Sequence, residues 1–141
     1  MEYFTKSSEE TIALGKKIGE VLKPIDVIGF YGELGSGKTT MIKGIAIGLG
    51  VNEENLVKSP SFIMINEYKG RYPIYHIDLY RIKNTEEILS IGLDDYLYGD
   101  GVCLIEWAEK AEGDLPENLI KVELEVVKPE ERKITISGLS L

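Results

Sequence analysis

The chain is poor in cysteine and in long apolar runs, and each shortage excludes a class of protein. Cys103 is the single cysteine among 141 residues, so an internal disulfide is impossible, as is common in cytoplasmic proteins. No window approaches the roughly 18 uninterrupted apolar residues of a membrane span, and the N-terminus lacks the apolar core of a secretory signal. We therefore expect a cytoplasmic protein without a membrane segment.

Positive charge is also scarce. The chain has 16 lysine and arginine residues against 24 aspartate and glutamate residues, a net charge of −8, and its only arginines are Arg71, Arg81 and Arg132. Such an acidic chain is a poor candidate for binding nucleic acid by itself, because the phosphate backbone repels it. The length suits one compact domain that spans residues 1–141.

What the chain does contain is a glycine-rich run that matches G-x-x-x-x-G-K-[ST], the loop that wraps the phosphates of ATP or GTP. An apolar strand pattern precedes it at residues 27–31. An apolar helical pattern follows it at residues 41–49 and ends at Gly50. This is the context that the motif requires. The predicted nucleotide-binding residues are Gly32, Glu33, Leu34, Gly35, Ser36, Gly37, Lys38, Thr39 and Thr40.

Each residue type in this loop has a physical reason. The glycines let the backbone bend so that successive N–H groups point at the phosphates, and the following helix adds the positive end of its dipole. Lys38 is placed to reach the β- and γ-phosphates, as a catalytic cation. The hydroxyl of Thr39 is placed to bind Mg²⁺, and Thr40 can add a contact further along the phosphate chain. We therefore expect ATP or ADP with Mg²⁺ as cofactors.

The remaining pattern predicts an α/β fold: a single P-loop NTPase domain with a mixed parallel and antiparallel sheet flanked by helices. A capping box at residues 7–10 predicts the start of a first helix. Further elements are predicted as a hairpin (62–68 and 72–77), a short helix (85–91) and three strands (102–105, 120–126 and 133–137).

Two carboxylates are candidates to assist a metal ion and the attacking water. Glu106 follows four apolar residues, and Asp78 follows a weaker strand pattern; a carboxylate at a strand tip faces the crevice where α/β sheets bind ligands. A helix cap or a strand-end ion pair is the structural alternative for each. His76 would share a strand face with Asp78, and the more common role for such a histidine is structural. Residues 59–62, Ser-Pro-Ser-Phe, fit either a γ-phosphate sensor or a simple turn.

Three classes of protein use this loop at this size. A GTPase usually carries an Asn-Lys-x-Asp run, which the chain lacks, so adenine is favoured over guanine. A small-molecule kinase commonly closes an arginine-bearing lid, and the chain has no arginine-rich segment, although Asp78 could serve such a kinase as a base. The third class is an ATPase subunit whose hydrolysis acts on a partner, and the short acidic chain favours it.

Four motifs in one order resemble the TsaE (YjeE) family of P-loop ATPases: residues 32–40, 59–62, 76–81 (His-Ile-Asp-Leu-Tyr-Arg) and 104–107 (Leu-Ile-Glu-Trp). The resemblance implies a role in making threonylcarbamoyladenosine in tRNA. It implies that the protein joins a TsaD–TsaB transferase pair, that a TsaC-type synthase acts upstream, and that tRNA is held mainly by those partners. It also implies that Lys38, Asp78 and Glu106 are catalytic and that Thr39, Asp78 and Glu106 serve the metal.

Overall fold

The computed structural model describes residues 1–53, 56 and 65–141. These residues form seven strands and four α-helices. A segment of 3-10 helix, Ala108–Asp114, follows the fifth strand. In chain order the elements are β1 (Glu2–Thr5), α1 (Ser8–Val21), β2 (Val27–Tyr31), α2 (Lys38–Gly48), β3 (Ile65–Lys69), β4 (Pro73–Asp78), α3 (Thr85–Ser90), α4 (Leu93–Leu97), β5 (Val102–Glu106), β6 (Ile120–Lys128) and β7 (Glu131–Ser137).

All seven strands form one sheet in the order β1-β7-β6-β2-β5-β4-β3. The four central strands, β6, β2, β5 and β4, run parallel to one another, whereas β3, β7 and β1 pair antiparallel with their neighbours at the two edges. The predicted α/β fold with a mixed sheet is therefore confirmed. Because β2, β5 and β4 are adjacent and parallel, their carboxyl ends lie side by side at one edge of the sheet.

The core occupies both faces of this sheet, so the central strands are apolar at successive positions. On β5, Val102 and Leu104 pack into the cluster beneath α1 and α2, while Cys103 and Ile105 pack into the cluster beneath α3 and α4. This pattern is expected of parallel strands that are covered on both sides. The burial raises the pKa of the Cys103 thiol to about 12, so this cysteine is an unreactive part of the core.

The predicted start of α1 is confirmed, and the structure adds two elements that the sequence did not indicate. Ser7 caps α1, since its Oγ accepts from the backbone N–H of Glu10 at 3.1 Å. The Glu10 carboxylate accepts in turn from the N–H of Lys6 at 3.0 Å, one residue before the capping residue. The unpredicted elements are β1 and α4. Of the hairpin, β3 and β4 pair antiparallel as predicted, while its residues 62–64 lie outside the described residues.

Helices α1 and α2 touch through their backbones. A Cβ at Gly44 would overlap the carbonyl oxygen of Ile12, and a Cβ at Gly48 would overlap that of Lys16. The two pairs advance together along both helices, so α1 and α2 run parallel and their N-termini lie at the same end. Two further glycines, Gly15 and Gly19, make the same kind of contact from α1.

No helix within residues 1–53, 56 and 65–141 combines the length and the apolar character needed to cross a bilayer.

We predict that Gly44→Ala lowers the free energy of unfolding, although alanine is the better helix former by about 1 kcal/mol. The added methyl group has no space against Ile12, and overpacking of this kind costs about 1–3 kcal/mol. Denaturant unfolding measures the change. The control is Gly113→Ala, where a Cβ meets no atom within 4 Å. Equal stability of the two variants would contradict the close backbone contact.

Candidate functional site

The glycine-rich run forms the turn between β2 and α2, as predicted. Gly32, Gly35 and Gly37 have φ angles of 150°, 80° and 102°, a region of backbone conformation that other residues rarely adopt. Gly37 is the N-cap of α2, so the first free N–H groups of this helix face the loop. The loop therefore has the bends and the helix N-terminus that a phosphate site needs.

The loop forms one wall of a cavity of about 300 Å³ at the carboxyl ends of β2, β4 and β5. Asp78 and Glu106 end their strands as paired positions in the parallel register of β4 and β5. Predicted residues 34–40, Asp78 and Glu106 are thus brought together at one place, whereas Gly32 and Glu33 are not among the residues that line this cavity. The lining residues are Leu34, Gly35, Ser36, Gly37, Lys38, Thr39, Thr40, Asp78, Tyr80, Glu106, Trp107 and Arg132.

Lys38 is almost fully buried, and its ammonium group is surrounded by electron-rich groups. Its Nζ donates to the carbonyl oxygens of Gly32 and of Glu33, the latter at 3.0 Å, and lies 4.1 Å from the centre of the Trp107 ring. Burial lowers the pKa of Lys38, and the nearby carboxylates, led by Glu106, oppose this effect. The geometry holds a positive charge at the floor of the cavity, where phosphate oxygens would attract it.

Glu106 links the loop to the neighbouring strand. Its Oε1 accepts a hydrogen bond from the Thr39 hydroxyl at 3.1 Å, and its Oε2 lies 2.6 Å from Nε2 of His76. Glu106 and His76 are both buried, at 3% and 2% exposed. The candidate metal residues Thr39 and Glu106 are therefore already in contact.

Asp78 is paired with Glu106 in the register of β4 and β5, and its side chain is half-buried. Its Oδ1 accepts from the backbone N–H of Tyr80 at 2.9 Å, which fixes the turn after β4. The Tyr80 ring packs against Trp107, with 5.1 Å between ring centres. The turns that follow β4 and β5 are thus held together at the mouth of the cavity.

The sequence analysis missed three residues that line the cavity, which are Tyr80, Trp107 and Arg132. Trp107 covers the Lys38 ammonium from a left-handed backbone conformation with φ of 58°. Arg132, from β7, donates through Nε to the carbonyl of Ser36 at 2.9 Å and through Nη2 to that of Gly35 at 3.3 Å. No local pattern signals Arg132, because its partners lie almost a hundred positions earlier in the chain.

A second cavity, of about 360 Å³, adjoins the first and shares Gly37, Thr40 and Arg132 with it. The first turn of α1 and the turn before β7 form its other walls. Its lining residues are Ser7, Ser8, Glu9, Thr11, Gly37, Thr40, Pro129, Glu130 and Arg132. The two cavities therefore lie next to each other on the two sides of these shared residues.

The residues at the site fit a nucleotide with Mg²⁺. Thr39 and Glu106 offer hydroxyl and carboxylate oxygens, the hard ligands that Mg²⁺ takes in small number while it keeps water and phosphate oxygens. The buried Oγ of Ser36 has no hydrogen-bond partner among the described residues, so the loop holds an unused polar group. The described part of the chain has no cluster of three or more His, Cys, Asp or Glu side chains arranged to bind a metal.

The predicted γ-phosphate sensor, residues 59–62, lies outside the described residues.

Comparison with known proteins agrees with this geometry. The model of the family described as threonylcarbamoyl adenosine biosynthesis protein TsaE matches residues 5–134. A relative from Treponema pallidum, named tRNA threonylcarbamoyladenosine biosynthesis protein TsaE, is 37% identical over 137 residues, which cover 97% of this chain and 100% of the relative. A Bacillus subtilis protein of the same name is 41% identical over 140 residues, or 99% of this chain and 86% of that protein.

A solved structure, that of Bacillus subtilis YdiB, superposes with a TM-score of 0.79 at 39% identity and covers 96% of this chain and 83% of its own. The fold and the loop define a P-loop nucleotide-binding protein. Within that class, the chain belongs to the TsaE family.

We predict that Arg132→Ala weakens ADP binding about tenfold or more, because the charged hydrogen bonds that hold the loop carbonyls contribute about 1.5–3 kcal/mol. Isothermal titration calorimetry measures the affinity. The matched control is the adjacent Lys133→Ala, since Lys133 forms a surface ion pair with Glu2 at 3.5 Å and does not line the cavity. ADP affinity within about twofold of wild type in Arg132→Ala would refute a role for this residue in shaping the loop.

Proposed function

We propose that this chain is a Mg²⁺-dependent ATPase subunit that supports formation of threonylcarbamoyladenosine in tRNA by acting on a TsaD–TsaB transferase pair. The observation that carries the proposal is the meeting of Lys38, Thr39, Glu106 and Asp78 at the carboxyl ends of parallel strands. Membership of the TsaE family supports the pathway, and the cavity supports the chemistry.

Each residue has a distinct task in the proposed hydrolysis. Lys38 binds the β- and γ-phosphate oxygens and opposes the charge that develops on them in the transition state. Thr39 and Glu106 would hold Mg²⁺, and the ion would supply further neutralisation of phosphate charge. Asp78, beside Glu106 and open to the cavity, orients the attacking water. The loop N–H groups at the start of α2 complete the phosphate site.

The adjoining cavity accommodates the nucleoside part of the ligand. It continues from Thr40 and Arg132 toward the first turn of α1, so a nucleotide whose phosphates lie on the loop would extend into it. The sequence has no Asn-Lys-x-Asp run for guanine, which supports ATP as the nucleotide.

The proposed partners explain why an acidic chain takes part in tRNA modification. With a net charge of −8, the chain is ill-suited to holding tRNA, and the TsaD–TsaB pair would carry that contact. A TsaC-type synthase would act upstream of the transferase. In this proposal the protein acts in the cytoplasm and reaches tRNA through the TsaD–TsaB pair.

We predict that Lys38→Ala lowers the rate of ATP hydrolysis about 30- to 1,000-fold, because losing one positioned charge costs ~2–4 kcal/mol of transition-state stabilisation. Steady-state release of phosphate measures the rate. Lys43→Ala is the matched control, since Lys43 is an exposed lysine on the same helix. A Lys38→Ala rate within about threefold of wild type would exclude the proposed role.

Reconstitution tests the partner. With TsaD, TsaB and a TsaC-type synthase, repeated rounds of tRNA modification should require this protein, ATP and an intact Thr39, and the TsaD–TsaB pair should bind the chain in a nucleotide-dependent way. Modification assays and size-exclusion chromatography measure both. If modification proceeds equally without the protein, and a small hydroxyl compound alone accelerates ATP use, the chain is a small-molecule kinase instead.

A further inference from the structure

The two oxygens of the Glu106 carboxylate have different partners. Oε1 faces the Thr39 hydroxyl at 3.1 Å, and Oε2 faces Nε2 of His76 at 2.6 Å. Glu106 is 3% exposed, and a buried carboxylate is stable only when its oxygens are hydrogen-bonded. The contact with His76 therefore occupies the oxygen that points away from the loop.

His76 is fixed by its surroundings. It lies on β4, between paired positions Leu104 of β5 and Asn66 of β3, and its ring stacks on Tyr68 with 6.5 Å between ring centres. An ionised carboxylate only accepts hydrogen bonds, so the contact with Glu106 assigns the proton to Nε2. A donor held by two neighbouring strands thus faces one oxygen of Glu106.

His76 does not itself reach the reaction space. It is 2% exposed and is absent from the walls of the two adjoining cavities described above. Its hydrogen bond to Glu106 is the contact through which it can act on a metal bound at the site.

We propose that His76 is a positioning residue that holds Glu106 with Oε1 turned toward Thr39, so that the pair of oxygens for Mg²⁺ is formed before the nucleotide arrives. This inference rests on the proposed function, because it concerns the metal of that site. Groups that hydrogen-bond to metal ligands fix the orientation of those ligands, and their loss commonly weakens metal affinity about 10- to 100-fold. Without His76 the carboxylate can rotate and Oε1 can leave Thr39.

The test compares two amides of different reach. His76→Gln places its amide nitrogen near the position of Nε2 and keeps a donor for Glu106. His76→Asn is one carbon shorter, so its amide cannot reach the carboxylate. The two variants bury the same polar group, and a general effect of burying an amide is thereby matched. Circular dichroism and thermal unfolding check the fold, and His76→Met, which also lacks a donor, replaces His76→Asn if that variant does not fold.

Two affinities are measured. The first is that of ADP in the presence of EDTA. The second is that of the ADP-bound protein for Mn²⁺, followed by electron paramagnetic resonance. We expect His76→Asn to keep its metal-free ADP affinity within about twofold and to weaken Mn²⁺ binding about 10- to 100-fold, with His76→Gln close to wild type. Excess Mg²⁺ should restore hydrolysis by His76→Asn.

A double-mutant cycle locates the effect. In a Glu106→Gln background, the exchange of His76 for asparagine should change Mn²⁺ affinity little further, because the carboxylate that it orients is gone. Unchanged Mn²⁺ affinity in His76→Asn, or an equal loss in both amide variants, would overturn the positioning role. Failure of the wild-type protein to bind ADP at all would instead overturn the proposed function, so the two failures are distinguishable.

Discussion

A buried positive charge must be compensated by nearby electron-rich groups, and the site is organised around the buried ammonium group of Lys38. The ammonium group is enclosed by two loop carbonyls, by the face of Trp107 and by the field of nearby carboxylates. Burial nevertheless lowers the pKa of the lysine, although the carboxylates oppose this effect. In the function proposed above, the phosphates of the nucleotide would place further negative charge beside the ammonium group and offset part of the cost of burying it.

The sheet provides this arrangement through its order of strands. Because β2 lies between β6 and β5, the loop that follows it opens beside the ends of β5 and β4, where Glu106 and Asp78 stand. On the other side, β7 brings Arg132 back to the loop carbonyls from the antiparallel edge. Parallel strands thus supply the acidic groups, and an antiparallel strand supplies the cation that ties the loop down.

Local pattern was enough to predict the loop and the strand-end carboxylates. Each of these two patterns lies within a few residues: the glycine spacing before Lys38 and the apolar run before Glu106. In the structure the first forms the loop before α2 and the second forms β5, which ends at Glu106. What the sequence could not show depends on distant pairing. The four-residue β1 is paired with β7 at the far end of the chain, and Arg132 contacts a loop far from it in sequence. The contact of His76 with Glu106 likewise joins two strands.

The glycine contact between α1 and α2 has a consequence for the shape of the second cavity, where the nucleoside is proposed to bind. Main chain lies against main chain, so no side-chain rotamer can change the spacing of the two helices. At their far ends Arg71 ties the helices together through the carbonyls of Gly19 and Gly48, both at 2.8 Å. Their near ends border the second cavity. The distance between the two helices that border this pocket is therefore set by the backbone, and the opposite wall, formed by residues 129–130 and Arg132, is the part that side chains can reshape.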